Sequence, residues 1–221
     1  MNSSDRLLVT GGLTGIGKGI VDAYPNRCDV WSRRTGIDLL DEACVQQAAS
    51  ALLEASGAPF GLLHCVGDFD EVAALDADTA HYHSMLGSNL TSAWHVIRHV
   101  VPAMVAAGGG RVVFFSAAGA DADGAKTRAP IYFAAKAALV SLSKSLAAEV
   151  AASGVTVNVV SPGIIRHPDS HQASQDRMAS QVPLGRCGEV ADILGAIDLL
   201  LSERGAYITG SNITIDGGLS L

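Results

Sequence analysis

Short apolar runs alternate with longer stretches of helical periodicity along the whole chain. An apolar run of about 4–8 residues bounded by turn residues is typical of a strand buried on both faces. The pattern predicts strands at residues 7–9, 28–31, 60–66, 111–115, 155–160 and 212–216, and helices that end near residue 26 or span about 41–56, 78–107, 131–153 and 189–202. This alternation predicts a doubly wound α/β domain, with about seven parallel strands and helices on both faces.

The longest predicted helix, residues 78–107, has apolar residues at steps of three and four. Such spacing places side chains on one face of a helix. The predicted face consists of Leu86, Leu90, Trp94, Ile97, Val101 and Met104.

A glycine-rich turn joins the first predicted strand to the first helix. Glycines permit a sharp turn and let a pyrophosphate approach the free N–H groups at a helix N-terminus, where the helix dipole favours negative charge. The turn consists of Thr10, Gly11, Gly12, Leu13, Thr14, Gly15, Ile16 and Gly17. We therefore expect it to bind the phosphates of a nucleotide.

Two nucleotide-binding patterns fit this turn. Residues 12–18 match the first seven positions of a P-loop, but the eighth position is Gly19 instead of the Ser or Thr that would bind magnesium. The pattern Thr-Gly-x-x-x-Gly-x-Gly is satisfied by Thr10, Gly11, Gly15 and Gly17. A P-loop NTPase is therefore the weaker alternative.

Composition narrows the choice of partner. The 221 residues include 15 basic and 22 acidic side chains, which give a formal net charge of -7, and they form no basic cluster. A small ligand is therefore expected, rather than nucleic acid or a membrane surface. Scattered Cys28, Cys44, Cys65 and Cys187 favour reduced thiols over disulfides or a metal site. Without a linker segment or an apolar run of ~20 residues, a single cytoplasmic domain is expected.

A second group of polar residues follows the strand predicted at residues 111–115. That strand leads into Ser116, and the next helix begins near Tyr132 and Lys136. Residues four apart share a helix face, so Tyr132 and Lys136 should both point toward the carboxyl ends of the strands, where the glycine turn also lies. The two motifs together predict a shared site.

These motifs resemble those of the short-chain dehydrogenase/reductase family, which has a Rossmann fold. The resemblance runs in order from the first strand to the segments 183–189 and 207–218. It implies an NAD(P)-dependent oxidoreductase with a catalytic set of Asn89, Ser116, Tyr132 and Lys136. It also implies cofactor contacts at Thr10, Gly11, Leu13, Thr14, Gly15, Ile16, Gly17, Ser32, Arg33, Arg34, Asp38, Leu39, Cys65, Val66, Gly67, Tyr132, Lys136, Pro162, Gly163 and Ile165.

The sequence departs from the family pattern near the expected cofactor. His64, Cys65 and Val66 stand where the family has Asn-Asn-Ala, and His167 stands where it usually has Thr. We expect His64 to be a packed histidine at the end of a strand. Because the catalytic set is intact, we interpret the departures as adjustments to the substrate.

The catalytic set also has a chemical rationale of its own. Hydride transfer to a ketone leaves an alkoxide that needs a proton, and a phenol with a pKa of ~10 is a poor participant near neutral pH. At ~5 Å and an effective dielectric constant of ~20, the Lys136 cation would lower the pKa of Tyr132 by about two units. Ser116 can donate a hydrogen bond to the substrate oxygen, and Asn89 can anchor a water molecule that resupplies protons through Lys136.

The end of the second predicted strand indicates the cofactor. Enzymes that prefer NAD usually have an acidic residue there, which binds the ribose hydroxyls. Here the position is Ser32, and Arg33 and Arg34 follow it. Two arginines can bind a 2′-phosphate through charge-assisted hydrogen bonds, so NADP(H) is the expected cofactor and NAD(H) the alternative.

Three functions remain open at this point. The first is an oxidoreductase that interconverts a ketone or aldehyde and an alcohol, with reduction of a 3-oxoacyl thioester as a specific alternative. The second is a non-catalytic dinucleotide-binding sensor or scaffold, and the third is the NTPase. The substrate pocket should lie between the predicted lid at residues 163–181 and the loop at 121–130.

Small residues on the helix at 131–153 predict self-association. They are Ala134, Ala137, Ala138 and Ser141. Small side chains permit close approach between helices, and the family resemblance implies that the same helices form an interface. A homodimer or homotetramer is therefore expected.

Overall fold

A computed structural model of the protein describes residues 5–166 and 178–221. The strands are β1 (Leu7–Thr10), β2 (Cys28–Trp31), β3 (Gly61–His64), β4 (Gly110–Phe115), β5 (Val155–Pro162), β6 (Ile165–Arg166), β7 (Gly188–Glu189) and β8 (Asn212–Ile215). The α-helices are α1 (Gly15–Ala23), α2 (Glu42–Ser56), α3 (Thr79–Leu86), α4 (Ser92–Ala106), α5 (Pro130–Val150) and α6 (Val190–Leu201). Each predicted strand is present, and so is each predicted helix except that the helix predicted at residues 78–107 is divided into α3 and α4; the ends shift by a few residues.

The main sheet is parallel and has the strand order β2-β1-β3-β4-β5-β8. It contains six strands within the described residues, where about seven were expected. Each of the six strands located from an apolar run belongs to this sheet, so the expected total was one too high. Strands β6 and β7 pair separately. Parallel strands place their carboxyl ends on one side, which we name the carboxyl edge.

Helices cover both faces of the sheet because successive side chains of a strand point to opposite faces. In β1, Leu8 packs in the core beneath α2, α4 and α5, whereas Leu7 and Val9 pack in the core beneath α1 and α6. All three are 0% exposed. Full burial of such a side chain contributes roughly 1.5–3 kcal/mol, so a register slip of one residue would be costly.

The helix predicted at residues 78–107 is interrupted by a π-helical turn, Gly87–Thr91, between α3 and α4. A π-helical turn inserts an extra residue and therefore rotates the following helix face relative to the preceding one. Trp94 is 45% exposed, whereas its neighbours Ala93 and Ile97 are buried. The prediction of one apolar face that includes Trp94 was wrong.

Helix α5 is long and apolar. By length and composition alone, Pro130–Ser153 is the one helical stretch among the described residues that could cross a membrane. Leu139, Val140 and Val150 of this helix are buried in the core over β5, as in the core helix of a globular domain. Of the small residues predicted to lie at a subunit interface, Ala134 and Ser141 are exposed and Ala137 and Ala138 are half-buried.

Packing of α1 against α6 explains why Gly19 stands where a P-loop has Ser or Thr. A Cβ on Gly19 would overlap the Val190 side chain at the start of α6. The preceding Lys18 forms an exposed ion pair with Asp22 at 2.7 Å, one turn further along the same helix. Gly19 is therefore explained by helix packing, and the structure adds nothing in favour of an NTPase.

Candidate active site

The glycine turn packs closely against the end of β3. Gly11 has a φ of +73°, in the left-handed region that favours glycine, and a Cβ there would lie 3.1 Å from the Cys65 carbonyl group. A Cβ on Gly17 would overlap the Gly11 carbonyl oxygen. In the described helix α1, the Thr14 side chain makes no capping hydrogen bond. The N–H groups at the start of α1 can therefore bind a phosphate.

A cavity of about 320 Å³ lies beside this turn, and we name it the glycine-turn cavity. It is lined by predicted cofactor contacts, namely Gly11, Leu13, Thr14, Ser32, Arg33, Arg34, Asp38, Leu39, Cys65, Val66 and Gly67. Gly15, Ile16 and Gly17 form the first turn of α1, and Thr10 is buried at the end of β1. Sequence reasoning missed Ile37, Leu40, Asp68, Ser88 and Ser92, which also line the cavity but belong to no motif.

Two arginines stand at the wall of the glycine-turn cavity. The Ser32 hydroxyl accepts a hydrogen bond from the Thr35 N–H at 3.2 Å and so caps the 3₁₀ turn Arg33–Thr35. Arg33 and Arg34 are exposed, and neither joins an ion pair among the described residues. The capped turn therefore presents two arginine charges to the cavity.

Lys136 is buried at the carboxyl edge. Its side chain lies one turn into α5 from Tyr132, and the residue is 4% exposed. The Nζ atom donates a hydrogen bond to the Phe115 carbonyl oxygen at 2.9 Å and lies 5.8 Å from the Tyr132 ring centroid. Burial lowers the pKa of Lys136 to about 8. The predicted Tyr132 and Lys136 pair is therefore brought together at the end of β4.

Asn89 lies in the π-helical turn and faces the same place. Its Nδ2 donates to the Asp68 carbonyl at 2.9 Å and to the Met85 carbonyl at 3.0 Å. Its buried Oδ1 has no hydrogen-bond partner among the described residues. A Cβ on Gly67 would overlap this Oδ1 and lie 2.7 Å from the Lys136 Nζ. The Asn89 amide oxygen and the Lys136 ammonium therefore approach a common point beside Gly67. A residue with a Cβ at position 67 would fill this point.

Ser116 and Tyr132 complete the predicted set. The Ser116 hydroxyl, directly after β4, donates to the Lys136 carbonyl at 3.1 Å. Tyr132 is half-buried, and burial raises its pKa to about 12. The expectation of a lowered pKa for Tyr132 was wrong, because burial of the phenol raises it.

His64, at the end of β3, bridges two hydroxyl groups, those of Thr10 and Ser92. It is 0% exposed, and its Nδ1 lies 2.8 Å from the Thr10 hydroxyl while its Nε2 lies 3.2 Å from the Ser92 hydroxyl. Ser92 already donates to the Ser88 carbonyl at 2.7 Å, so it must accept from Nε2–H, and Nδ1 accepts from Thr10. Burial, and secondarily the Lys136 charge, lower the pKa of His64 to about 3. The expectation of a packed strand-end histidine is confirmed.

A second cavity, of about 770 Å³, is lined by Tyr132, and we name it the tyrosine cavity. Pro162 and Gly163, predicted as cofactor contacts, line it. Ile165 lines neither large cavity, because in β6 it pairs with Gly188 and its side chain packs on the core. His167 and most of the predicted lid lie outside the described residues.

Comparisons with known proteins agree with this geometry. The family described as enoyl-(acyl carrier protein) reductase matches residues 18–220. The 3-oxoacyl-[acyl-carrier-protein] reductase FabG of Escherichia coli (strain K12) is 32% identical over an alignment of 252 positions, which covers 99% of each chain. Thermoplasma acidophilum aldohexose dehydrogenase has a TM-score of 0.87 at 21% identity over 98% of this chain and 94% of that chain. ElxO with NADP bound has a TM-score of 0.86 at 22% identity over 97% of this chain and 98% of that chain.

The chain therefore belongs to the short-chain dehydrogenase/reductase family. The resemblance seen in its sequence is confirmed, and so is its expected class, an NAD(P)-dependent dehydrogenase or reductase.

The His64 bridge predicts a pH-dependent loss of stability. The pKa of His64 is about 3 in the folded protein but about 6.5 in an unfolded chain, so the unfolded chain takes up the proton first as the pH falls. The contribution of His64 is fully present above pH 6.5 and declines by roughly 1.4 kcal/mol per pH unit toward pH 3. Between pH 7.0 and 5.5, urea denaturation should show the wild type losing about 1 kcal/mol more than His64→Asn, which cannot titrate. Equal losses would contradict a neutral bridging imidazole.

Proposed function

We propose that the protein is an NADP(H)-dependent oxidoreductase that interconverts a ketone or aldehyde with a secondary or primary alcohol. The supporting observation is the approach of the Lys136 ammonium and the unpartnered Asn89 oxygen beside Gly67, at the border of the glycine-turn cavity. A buried amine and a buried unsatisfied acceptor both weaken a folded protein. Their convergence at one point is therefore best explained by a functional site.

The residues of the glycine-turn cavity fit a dinucleotide. The close backbone of Gly11 and the start of α1 suit a pyrophosphate, and Arg33 and Arg34 suit a 2′-phosphate. The similar structure of ElxO with NADP bound is consistent with this choice. When bound, the nicotinamide would donate or accept the hydride.

Tyr132 would act as the proton donor for carbonyl reduction. With a pKa of about 12, it stays protonated near neutral pH and can transfer its proton to the alkoxide. With a pKa of about 8, Lys136 is mostly charged at pH 7 and would stabilise the phenolate as it forms. At ~5 Å and an effective dielectric constant of ~20, that attraction is roughly 3 kcal/mol. The Ser116 hydroxyl, once turned from the Lys136 carbonyl to which it donates here, would orient the substrate carbonyl oxygen toward Tyr132.

Asn89 would anchor a water molecule that resupplies protons through Lys136. Its free Oδ1 and the Lys136 ammonium offer an acceptor and a donor to a water molecule beside Gly67. Such a water could return a proton to Tyr132 through Lys136 after each turnover. The π-helical turn would then be needed because it aims the amide at the lysine.

The name of the Escherichia coli relative supports one narrower reaction, reduction of a 3-oxoacyl thioester. That reaction has the same catalytic requirements, since its substrate is also a ketone.

Residence in the cytoplasm and assembly as a homodimer or homotetramer stay predictions. Exposed Ala134 and Ser141 on α5 are consistent with such an assembly.

Replacement of Tyr132 by Phe should abolish carbonyl reduction and change the dissociation constant for NADPH by no more than a few-fold. The phenyl ring keeps the packing, and only the proton donor is removed. NADPH absorbance during turnover and calorimetry of NADPH binding measure the two effects. Tyr82→Phe, on an exposed tyrosine of α3, is the matched control and should retain activity. Appreciable carbonyl reduction by a folded Tyr132→Phe protein would rule out Tyr132 as the proton donor. Absence of carbonyl reduction by the wild type would favour the alternative function, a non-catalytic cofactor-binding module.

The arginine pair predicts a preference for NADPH of at least tenfold over NADH. A charge-assisted hydrogen bond contributes on the order of 1.5–3 kcal/mol, and NADH lacks the phosphate that would form it. The ratio of kcat/KM for the two cofactors should fall by about tenfold or more in the double variant Arg33→Ala, Arg34→Ala. Arg204→Ala removes one arginine charge from a turn that follows α6 and is the control for loss of a surface charge elsewhere. Equal use of both cofactors by the wild type, or an unchanged ratio in the double variant, would refute this assignment.

A further inference from the structure

We propose that the tyrosine cavity selects uncharged carbonyl compounds that carry an apolar ring. Phe69 and Phe133 hold the ring, and Glu71 keeps the charge of Arg128 from attracting an anion. The inference rests on the proposed function, because it names the substrate class for that site.

The first observation is a pair of phenyl rings around the reactive phenol. The Phe69 ring meets the Tyr132 ring edge to face, with centroids 4.9 Å apart and planes at 82°. The Phe133 ring also meets the Tyr132 ring edge to face, with centroids 5.3 Å apart and planes at 79°. Both phenylalanines line the tyrosine cavity. A ring that enters the cavity can add to this edge-to-face arrangement, which is the geometry that aromatic groups prefer.

Phe69 is 58% exposed, although a large apolar side chain favours burial. It belongs to the loop that follows β3, and its ring contacts Tyr132 at the cavity wall. An exposed aromatic side chain at a cavity next to a reactive group is typical of a ligand contact. A ring bound against Phe69 would cover its exposed surface.

Apolar groups make up most of the remaining described wall. They are Ala117, Ala118, Ala129, Ile164, Met178 and Leu219. At about 770 Å³, the cavity has room for a substituted ring beside Tyr132. A small polar carbonyl compound would leave this apolar surface uncovered and would therefore bind weakly.

The two charged residues of the described wall, Glu71 and Arg128, are paired with each other. Arg128 donates to the Glu71 carboxylate at 2.6 Å, across the gap between the loop before α5 and the loop after β3. The Lys126 ammonium lies 5.8 Å from the Phe133 ring centroid and is not among the residues that line the cavity. A carboxylate on the substrate would have to compete with Glu71 for Arg128. An uncharged substrate meets no such competition.

Three ketones test the selection. Methyl 4-acetylbenzoate is an uncharged aromatic ketone, 4-acetylbenzoate carries a carboxylate on the same ring, and 2-butanone has no ring. With saturating NADPH, kcat/KM for the methyl ester should exceed that for the carboxylate and that for 2-butanone by at least tenfold each. Equal values for the ester and the carboxylate would overturn the charge selection, and equal values for the ester and 2-butanone would overturn the ring selection.

Variants assign the selection to the named residues. Glu71→Gln should free Arg128 and reduce the preference for the ester over the carboxylate at least fivefold, mainly through a lower KM for the carboxylate. Asp70→Asn removes the neighbouring acidic charge, which pairs with His81 instead, and should leave the ratio unchanged. Phe69→Ala and Phe133→Ala should each lower kcat/KM for the ester at least fivefold more than for 2-butanone. Equal effects of Glu71→Gln and Asp70→Asn, or no differential loss in both phenylalanine variants, would overturn the assignment.

Binding measurements keep this inference separate from the proposed function. Calorimetry with the Tyr132→Phe protein should give at least tenfold tighter binding of the methyl ester than of the carboxylate, without any turnover. If the wild type reduces none of the ketones but the Tyr132→Phe protein discriminates in this way, the proposed function fails and the selection stands. If turnover occurs without discrimination in either assay, or if the ester does not bind, the selection fails.

Discussion

The burial of one ammonium group, that of Lys136, shapes the rest of the carboxyl edge. Taking a charged amine out of water is costly unless hydrogen bonds replace its hydration. Here the Phe115 carbonyl at the end of β4 provides one such bond at 2.9 Å, and the amide oxygen of Asn89 lies close by. Gly67 is required between them because a Cβ would fill the space. The lowered pKa of Lys136, about 8, is the electrostatic consequence of this burial.

The parallel sheet brings the other parts of the site to the same place. The ends of β1, β3 and β4 carry Thr10, His64 and Ser116, and α5 supplies Tyr132. His64 ties β1 to α4 through two hydroxyl groups, so the glycine turn and the helix that follows Asn89 are fixed relative to each other. The glycine-turn cavity and the tyrosine cavity therefore both lie at the carboxyl edge, the first beside the ends of β1, β2 and β3 and the second beside the ends of β4 and β5.

Much of this arrangement could be predicted from periodicity and motif order. Apolar runs located the strands because both faces of a parallel sheet are buried, and the glycine turn located its carboxyl edge. The four-residue spacing of Tyr132 and Lys136 correctly placed both on one side of α5. The total of about seven strands was too high, because the six apolar runs named from the sequence account for all six strands of the main sheet within the described residues.

Features that depend on contacts between distant segments could not be predicted in this way. The hydrogen-bond partners of His64, Thr10 and Ser92, lie 54 and 28 residues away in the sequence. A local sequence pattern therefore cannot predict these hydrogen bonds. The π-helical turn lies inside a pattern of three- and four-residue steps that predicts one continuous helix, yet Trp94 after it is exposed and Asn89 within it is buried. The raised pKa of Tyr132 also depends on burial, and a Coulomb estimate from sequence spacing contains no desolvation.

The role of the buried lysine is tested most directly by the pH dependence of kcat/KM for NADPH. This ratio reports ionisations of the free enzyme. If the Lys136 cation both contacts the cofactor and stabilises the Tyr132 phenolate, kcat/KM should fall above pH 8, by about tenfold per pH unit, because the pKa of Lys136 is about 8. A profile that stays flat from pH 7 to pH 10 would contradict the account, since the lysine would then either keep its charge or have no part in the reaction.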